Sequence, residues 1–166
     1  MLRLAETPAD YQAFGAICRH YVDWCRARYA SLPAFVDEVF GHQALDAELP
    51  LLAQKYGPPN GRTLLAWRDG EAIAGGAYRR HSATECELKR LFVTDRGRGE
   101  RLGRRLTEAL CDQARADGYT TMKLDTADRM AEALALYDGL GFRRIPPYLE
   151  YPPHLAGHIV FMEKAL

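Results

Sequence analysis

Glycines and arginines crowd one short stretch of this chain: Arg96, Gly97, Arg98, Gly99, Arg101, Gly103, Arg104 and Arg105 fall within ten residues. The residues before it, 85–93, follow a strand pattern. Those after it, Leu102, Leu106, Ala109 and Leu110, recur at helical spacing. A strand that turns tightly into a helix leaves the first amide N–H groups of that helix unpaired, and the helix dipole adds positive potential there. A diphosphate can settle on such amides, with arginines adding charge-assisted hydrogen bonds. A loop whose arginines are merely solvated fits the same composition equally well. The turn is not a Walker phosphate loop, because no GxxxxGK[ST] occurs, and GxGxxG is absent too.

Other residues with chemical potential are scattered. Glu85, Glu87 and Lys89 alternate along the strand and share one face, as a charged sheet surface or as a source of a proton acceptor. Tyr137 shares a helix face with Ala133, Leu136 and Leu140, and by itself reads as a core aromatic with its hydroxyl at the surface. His154 and His158 have the spacing of a metal pair, but Pro152, Pro153 and Gly157 argue against a helix and no third ligand is evident. No metal is expected. Cys18, Cys25, Cys86 and Cys111 lack CxxC spacing, which favours free thiols and a reducing cytoplasm.

The elements that must position these residues can be traced from the ends inward. Residues 2–4 read as a strand. Thr7 and Pro8 then cap a helix reaching about Tyr29, and after an irregular segment, 31–41, a second helix is predicted over 42–55. Residues 56–61, with Gly57, Pro58, Pro59 and Gly61, are a firm break. Strands follow at 62–67 and 72–80, joined by a turn at 68–71, and at 85–93. A helix at 102–117, a strand at 119–126, a helix at 129–140 stopped by Gly141, a strand at 141–145, a proline-rich loop and a strand at 158–164 complete the chain. The order is β-α-α-β-β-β-α-β-α-β-β, an α/β domain on a mixed sheet.

At 166 residues the chain fits one domain, 1–166. Its 22 Lys+Arg balance 22 Asp+Glu. Nucleic acid and anionic membrane are therefore not expected as partners, since both call for a basic surplus. No apolar run approaches the ~20 residues of a bilayer span. The sequence leaves a homodimer open.

Two stretches carry a resemblance to a known family. Leu91, Phe92 and Val93 followed by Arg98-Gly99-Glu100-Arg101-Leu102-Gly103 are similar to the coenzyme-A-binding motif of GNAT acetyltransferases, a strand end followed by Arg/Gln-x-x-Gly-x-Gly/Ala. Arg101 stands where that motif has its first glycine. Ala133-Leu134-Ala135-Leu136-Tyr137 with Gly141-Phe142 resembles the second GNAT signature, and Met130 stands where many relatives have asparagine. The resemblance covers roughly residues 56–166. It implies a GNAT fold, acetyl-CoA as cosubstrate, and a pantetheine arm held by the backbone of Leu91, Phe92 and Val93. The turn amides of 98–104, from Arg98 to Gly103 and Arg104, would then hold the pyrophosphate.

The resemblance also implies roles. Tyr137 would protonate the leaving thiolate, for which an ordinary tyrosine pKa near ~10 suits a donor that stays protonated at neutral pH. Glu87 matches the catalytic glutamate of the histone-acetyltransferase branch, with Glu85 acting through water as the alternative. A backbone N–H near Phe92 or Val93 would meet the oxyanion. The implied activity is transfer of acetyl to the primary amine of a small molecule. A protein or peptide acceptor, or a silent acetyl-CoA-binding sensor, are the alternatives. Tyr148, Leu149, Glu150 and Tyr151, with Tyr21, Trp24, Tyr29, Phe35 and Phe40, gather on the expected acceptor side, where each aromatic could equally be packing.

Overall fold

The computed structural model describes residues 1–31, 33–42 and 44–166, and the side chains of all of these but Pro33 and His42. Thr7 opens α1 (Pro8–Arg28) with a capping box. Its hydroxyl accepts from the Asp10 N–H at 3.2 Å, and the Asp10 carboxylate accepts from the Thr7 N–H at 3.0 Å. The 31–41 segment, expected to be irregular, is largely helical as α2 (Pro33–His42). The helix expected over 42–55 is broken instead. Ala44 takes a left-handed conformation (φ 51°), α3 (Leu45–Glu48) follows, and Pro50 sits in a 3-10 turn before α4 (Leu52–Tyr56). Proline lacks the N–H a continuous helix would need there. Leu32 and Gln43 of these two segments lie outside the described residues.

Seven strands form one sheet: β1 (Leu2–Leu4), β2 (Gly61–Arg68), β3 (Glu71–Arg80), β4 (Glu85–Val93), β5 (Thr121–Ala127), β6 (Arg143–Ile145) and β7 (Ile159–Ala165), in the spatial order β1-β2-β3-β4-β5-β7-β6. Between them lie α5 (Leu102–Ala116), α6 (Ala131–Asp138) and a short α7 (Pro153–Ala156) inside the expected proline-rich loop. The β2–β3 turn carries Asp69 (φ 51°) and Gly70 (φ 78°), the left-handed pair that matches strand twist in a two-residue hairpin. Helix α6 ends at Asp138, earlier than expected, and Gly141 supplies its positive φ (84°) just beyond.

Strand alternation sends Tyr78, Cys86, Leu88, Met122 and Leu124 to one face, against Leu102, Leu106 and Leu110 of α5. Leu65 and Ala77 go to the other face, against Phe14 and Cys18 of α1 and Leu52 and Tyr56 of α4. Each large apolar side chain so buried contributes about 1.5–3 kcal/mol. Two irregularities matter for function. Strands β4 and β5 are parallel and paired with each other only from Glu85↔Thr121 to Glu87↔Lys123; beyond that they part, β4 still paired with β3 and β5 with β7, leaving a wedge between them. Within β4 the register against β3 shifts between Gly75 and Ala77, and Arg90 takes φ 57°, so one extra residue is accommodated as a bulge.

Candidate active site

The wedge between β4 and β5 opens into a cavity of about 270 Å³. Its walls are Leu91, Phe92 and Val93 of β4, Asp125 and Thr126 of β5, Gly103 of α5 and Met130, Ala133, Leu136 and Tyr137 around α6. Tyr21, Trp24 and Phe40 close it from α1 and α2. Thr94 donates its N–H to Ile73 O at 3.0 Å, on the β3 side. Backbone groups alternate along a strand, so the Val93 N–H faces the open wedge while that of Phe92 engages β3.

At the mouth lies the Gly/Arg turn. Gly99 has φ 84° and Arg101, the residue before α5, has φ 54°. The left-handed conformation for which the family motif uses glycine is therefore kept by an arginine, at a cost of about 1–2 kcal/mol. The first intrahelical bond of α5 is Arg105 N–H to Arg101 O at 3.0 Å, which leaves the amides of Leu102, Gly103 and Arg104 without helical acceptors. Arg101 is exposed, whereas the Leu102 side chain is buried in the core. Arg98 pairs with Asp95 at 2.8 Å, Arg104 reaches Glu108 at 3.3 Å, and Glu100 is ion-paired with Arg68. Of the expected cofactor residues, Leu91, Phe92, Val93 and Gly103 line the cavity, and Arg98, Gly99, Glu100, Arg101, Leu102 and Arg104 form the turn beside it. Glu100 brings a carboxylate, so only its backbone suits a phosphate.

Tyr137 is buried in the cavity wall, and its hydroxyl has no hydrogen-bond partner among the described residues. Burial first, and then the Asp125 charge, push this hydroxyl well above the ordinary tyrosine range. Met130 precedes α6, and its Sδ lies 3.5 Å from the Tyr29 hydroxyl.

Glu87 is buried and lines neither this cavity nor the polar one beside it. Oε2 accepts from Arg79 Nε at 2.8 Å; Oε1 accepts from the Tyr148 hydroxyl and from Lys89, each at 3.0 Å. Glu85 sits at the closed end of the β4–β5 pair, 2.8 Å from Lys123. His154 pairs with Glu38 at 2.7 Å and His158 with Asp128 at 3.1 Å.

Three residues, Asp125, Arg90 and Glu48, escaped the sequence reading. Asp125 lines the cavity; Lys89 is ion-paired with it and the Tyr151 hydroxyl donates to it at 2.7 Å. Burial favours its neutral acid, but Lys89 and Tyr151 prevail and hold the carboxyl below the usual range. Arg90, at the bulge, donates Nε–H to Glu48 at 2.9 Å. Glu48 also accepts from Tyr56 at 2.9 Å and from Lys55 at 3.0 Å. The bulge is what lets consecutive Lys89 and Arg90 both face α1. A signal for Glu48 existed: it stands three residues after Leu45 and four before Leu52, a carboxylate on an apolar stripe. The pairing itself left no mark in the sequence.

Comparison with known proteins fits this geometry. The acetyltransferase (GNAT) family matches residues 23–142. An uncharacterised N-acetyltransferase of Schizosaccharomyces pombe is 38% identical over 66% of this chain and 69% of its own. An IAA acetyltransferase of Azospirillum brasilense is 37% identical over 68% of this chain and 73% of its own. Among solved structures, an acetyltransferase of Streptococcus agalactiae superposes with a TM-score of 0.77 at 22% identity, covering 100% of this chain and 98% of that one. A PaiA N-acetyltransferase of Thermoplasma acidophilum in complex with coenzyme A does so with a TM-score of 0.71 at 16% identity, covering 100% and 99%. The chain thus belongs to the acetyltransferase (GNAT) family.

Proposed function

We propose that the enzyme moves the acetyl group from acetyl-CoA to the primary amine of a small molecule, by direct attack within a ternary complex. The observation that carries this reading is a single cavity running from the amides of α5 along the open edge of β4 to the Tyr137 hydroxyl. The amides of the turn 98–104 take the pyrophosphate, and the backbone edge of 91–93 takes the pantetheine arm. The amine nitrogen attacks the thioester carbon, and the Val93 N–H donates to the oxyanion. As the tetrahedral intermediate collapses, the C–S bond breaks, Tyr137 gives its proton to the departing thiolate, and the second proton shed by the attacking nitrogen returns Tyr137 to its neutral form.

The amine must first lose a proton. Glu87, whose Oε1 accepts from the Tyr148 hydroxyl, is the proposed base, with Glu85 acting through water as the alternative. One observation favours a second carboxylate, since Asp125 lines the cavity and Glu87 does not. Glu87→Gln is expected to lower kcat/KM about 10²-fold at neutral pH and to abolish the acid limb of its pH profile. If that limb survives in Glu87→Gln and vanishes in Asp125→Asn, the base is Asp125.

A further inference from the structure

A second cavity, of about 210 Å³, lies on the α1 side of the sheet, and its lining is polar where the first is aromatic. Arg79, Lys89 and Arg90 supply three cations to it, with Glu48, Tyr56 and Tyr151 between them and the exposed Glu150 among its lining residues. Lys89 and Arg90 also line the first cavity, so a ligand in the polar one lies directly beside the thioester end of the other.

The charges in this wall are arranged in depth. Glu87 and Asp125, which neutralise Arg79 and Lys89, do not line the polar cavity; they stand behind the cations. Glu48 does line it, but its carboxylate already accepts from Arg90, Tyr56 and Lys55. A ligand entering therefore meets N–H donors beside a Glu48 carboxylate that is already paired, with Glu150 on the exposed side of the lining. Arg79 is the donor best placed to change partners. Its Nε and Nη2 both converge on the single oxygen Oε2 of Glu87, each at 2.8 Å, and Nη1 has no partner among the described residues. A guanidinium carries five N–H groups in a planar fork, and the edge away from Glu87 matches a carboxylate.

We propose that this cavity anchors the acceptor, and that the acceptor is an amine bearing a carboxylate a few bonds away, of the α-amino-acid class, with its carboxylate on Arg79. The assignment rests on the acetyl-transfer reading above and adds the substrate class to it. Anchored so, the amino group lies on the Lys89 side, toward the thioester. The Lys89 charge disfavours the ammonium form there and favours the neutral amine that attack requires. A polyamine brings no carboxylate for Arg79, so polyamines are selected against.

The test is thiol release from saturating acetyl-CoA with α-amino acids, their matched α-carboxamides and spermidine as acceptors. The unaltered enzyme should favour each acid over its carboxamide by at least about tenfold in kcat/KM, what one charge-assisted pair supplies. Spermidine should be poorer still. Arg79→Met should bring the acid-to-carboxamide ratio close to one, and Arg79→Lys should restore part of it. Equal rates for acid and carboxamide, preference for spermidine, no transfer to any of these amines, or an unchanged ratio in Arg79→Met overturns the inference. A protein that acetylates other amines without this preference loses the substrate class alone. One that acetyl-CoA does not stabilise against heat loses the transferase reading as well.

Discussion

Tyr137 and Arg101 show how much depends on the surroundings of a single side chain. A phenol facing water would begin to ionise near pH ~10. Burial and the Asp125 charge raise Tyr137 well above that, so it remains a proton donor across any practical assay range. The pH–rate profile is therefore expected to show no loss of this donor up to about pH 10. Tyr137→Phe should lower kcat about 10²–10⁴-fold while changing the dissociation constant of acetyl-CoA little. Equal losses in both would make it a packing residue. Arg101 holds a left-handed backbone that glycine adopts freely. Arg101→Gly is expected to stabilise the fold by about 0.5–1 kcal/mol in thermal unfolding. Its effect on acetyl-CoA binding reads out whether the arginine side chain reaches the phosphates.

At the scale of elements, the site is held by caps and pairs well away from the chemistry. Helix α1, which supplies Tyr21 and Trp24, starts from the capping box at Thr7. Burial opposes the Asp10 charge. The amides of Thr7 and Glu6, the Thr7 hydroxyl and Arg3 outweigh it and lower the carboxyl to about 2. Because the folded value lies below the unfolded one, this stabilisation is fully present above about pH 4 and is lost as the pH falls through about 2. Asp10→Asn should cost about 1–2 kcal/mol at neutral pH, a difference that closes in acid titrations below pH 2. The bulge in β4 is secured in a comparable way. Arg90, in a left-handed conformation, is fixed by Glu48 of α3, so short helices on one face set the backbone that opens toward the other cavity.

For the whole molecule, the two cores grip the sheet from opposite faces while the wedge between β4 and β5 stays unpaired. A cosubstrate that fills the wedge binds the folded chain alone. Acetyl-CoA at about a hundredfold over its dissociation constant should add about 2.7 kcal/mol, a rise of roughly 5–10 °C in Tm for a chain of this size. The absence of any shift at saturation would remove the proposed cofactor site.

Periodicity and turn chemistry are local, and local order was legible from the residues. Strand β4 at 85–93, the hairpin at Asp69-Gly70, the start of α5 at Leu102 and the Gly/Arg turn all follow from neighbours in the chain. The resemblance carried by 91–103 and 133–142 added the family. Where Pro50 falls was equally visible, yet the long helix was expected because Leu45, Leu49 and Leu52 keep helical spacing across it. What no stretch of sequence encodes by itself is the meeting of Glu48 with Arg90, Arg79 with Glu87, and Lys89 with Asp125. Those pairs join α3, β3, β4 and β5, and a buried charge is tolerable only where folding brings it an opposite partner. Sequence alone determined a strand, a Gly/Arg turn and the helix it opens, with Tyr137 on a later helix. Tertiary structure decided which charged side chains meet, because those contacts join residues far apart in the chain.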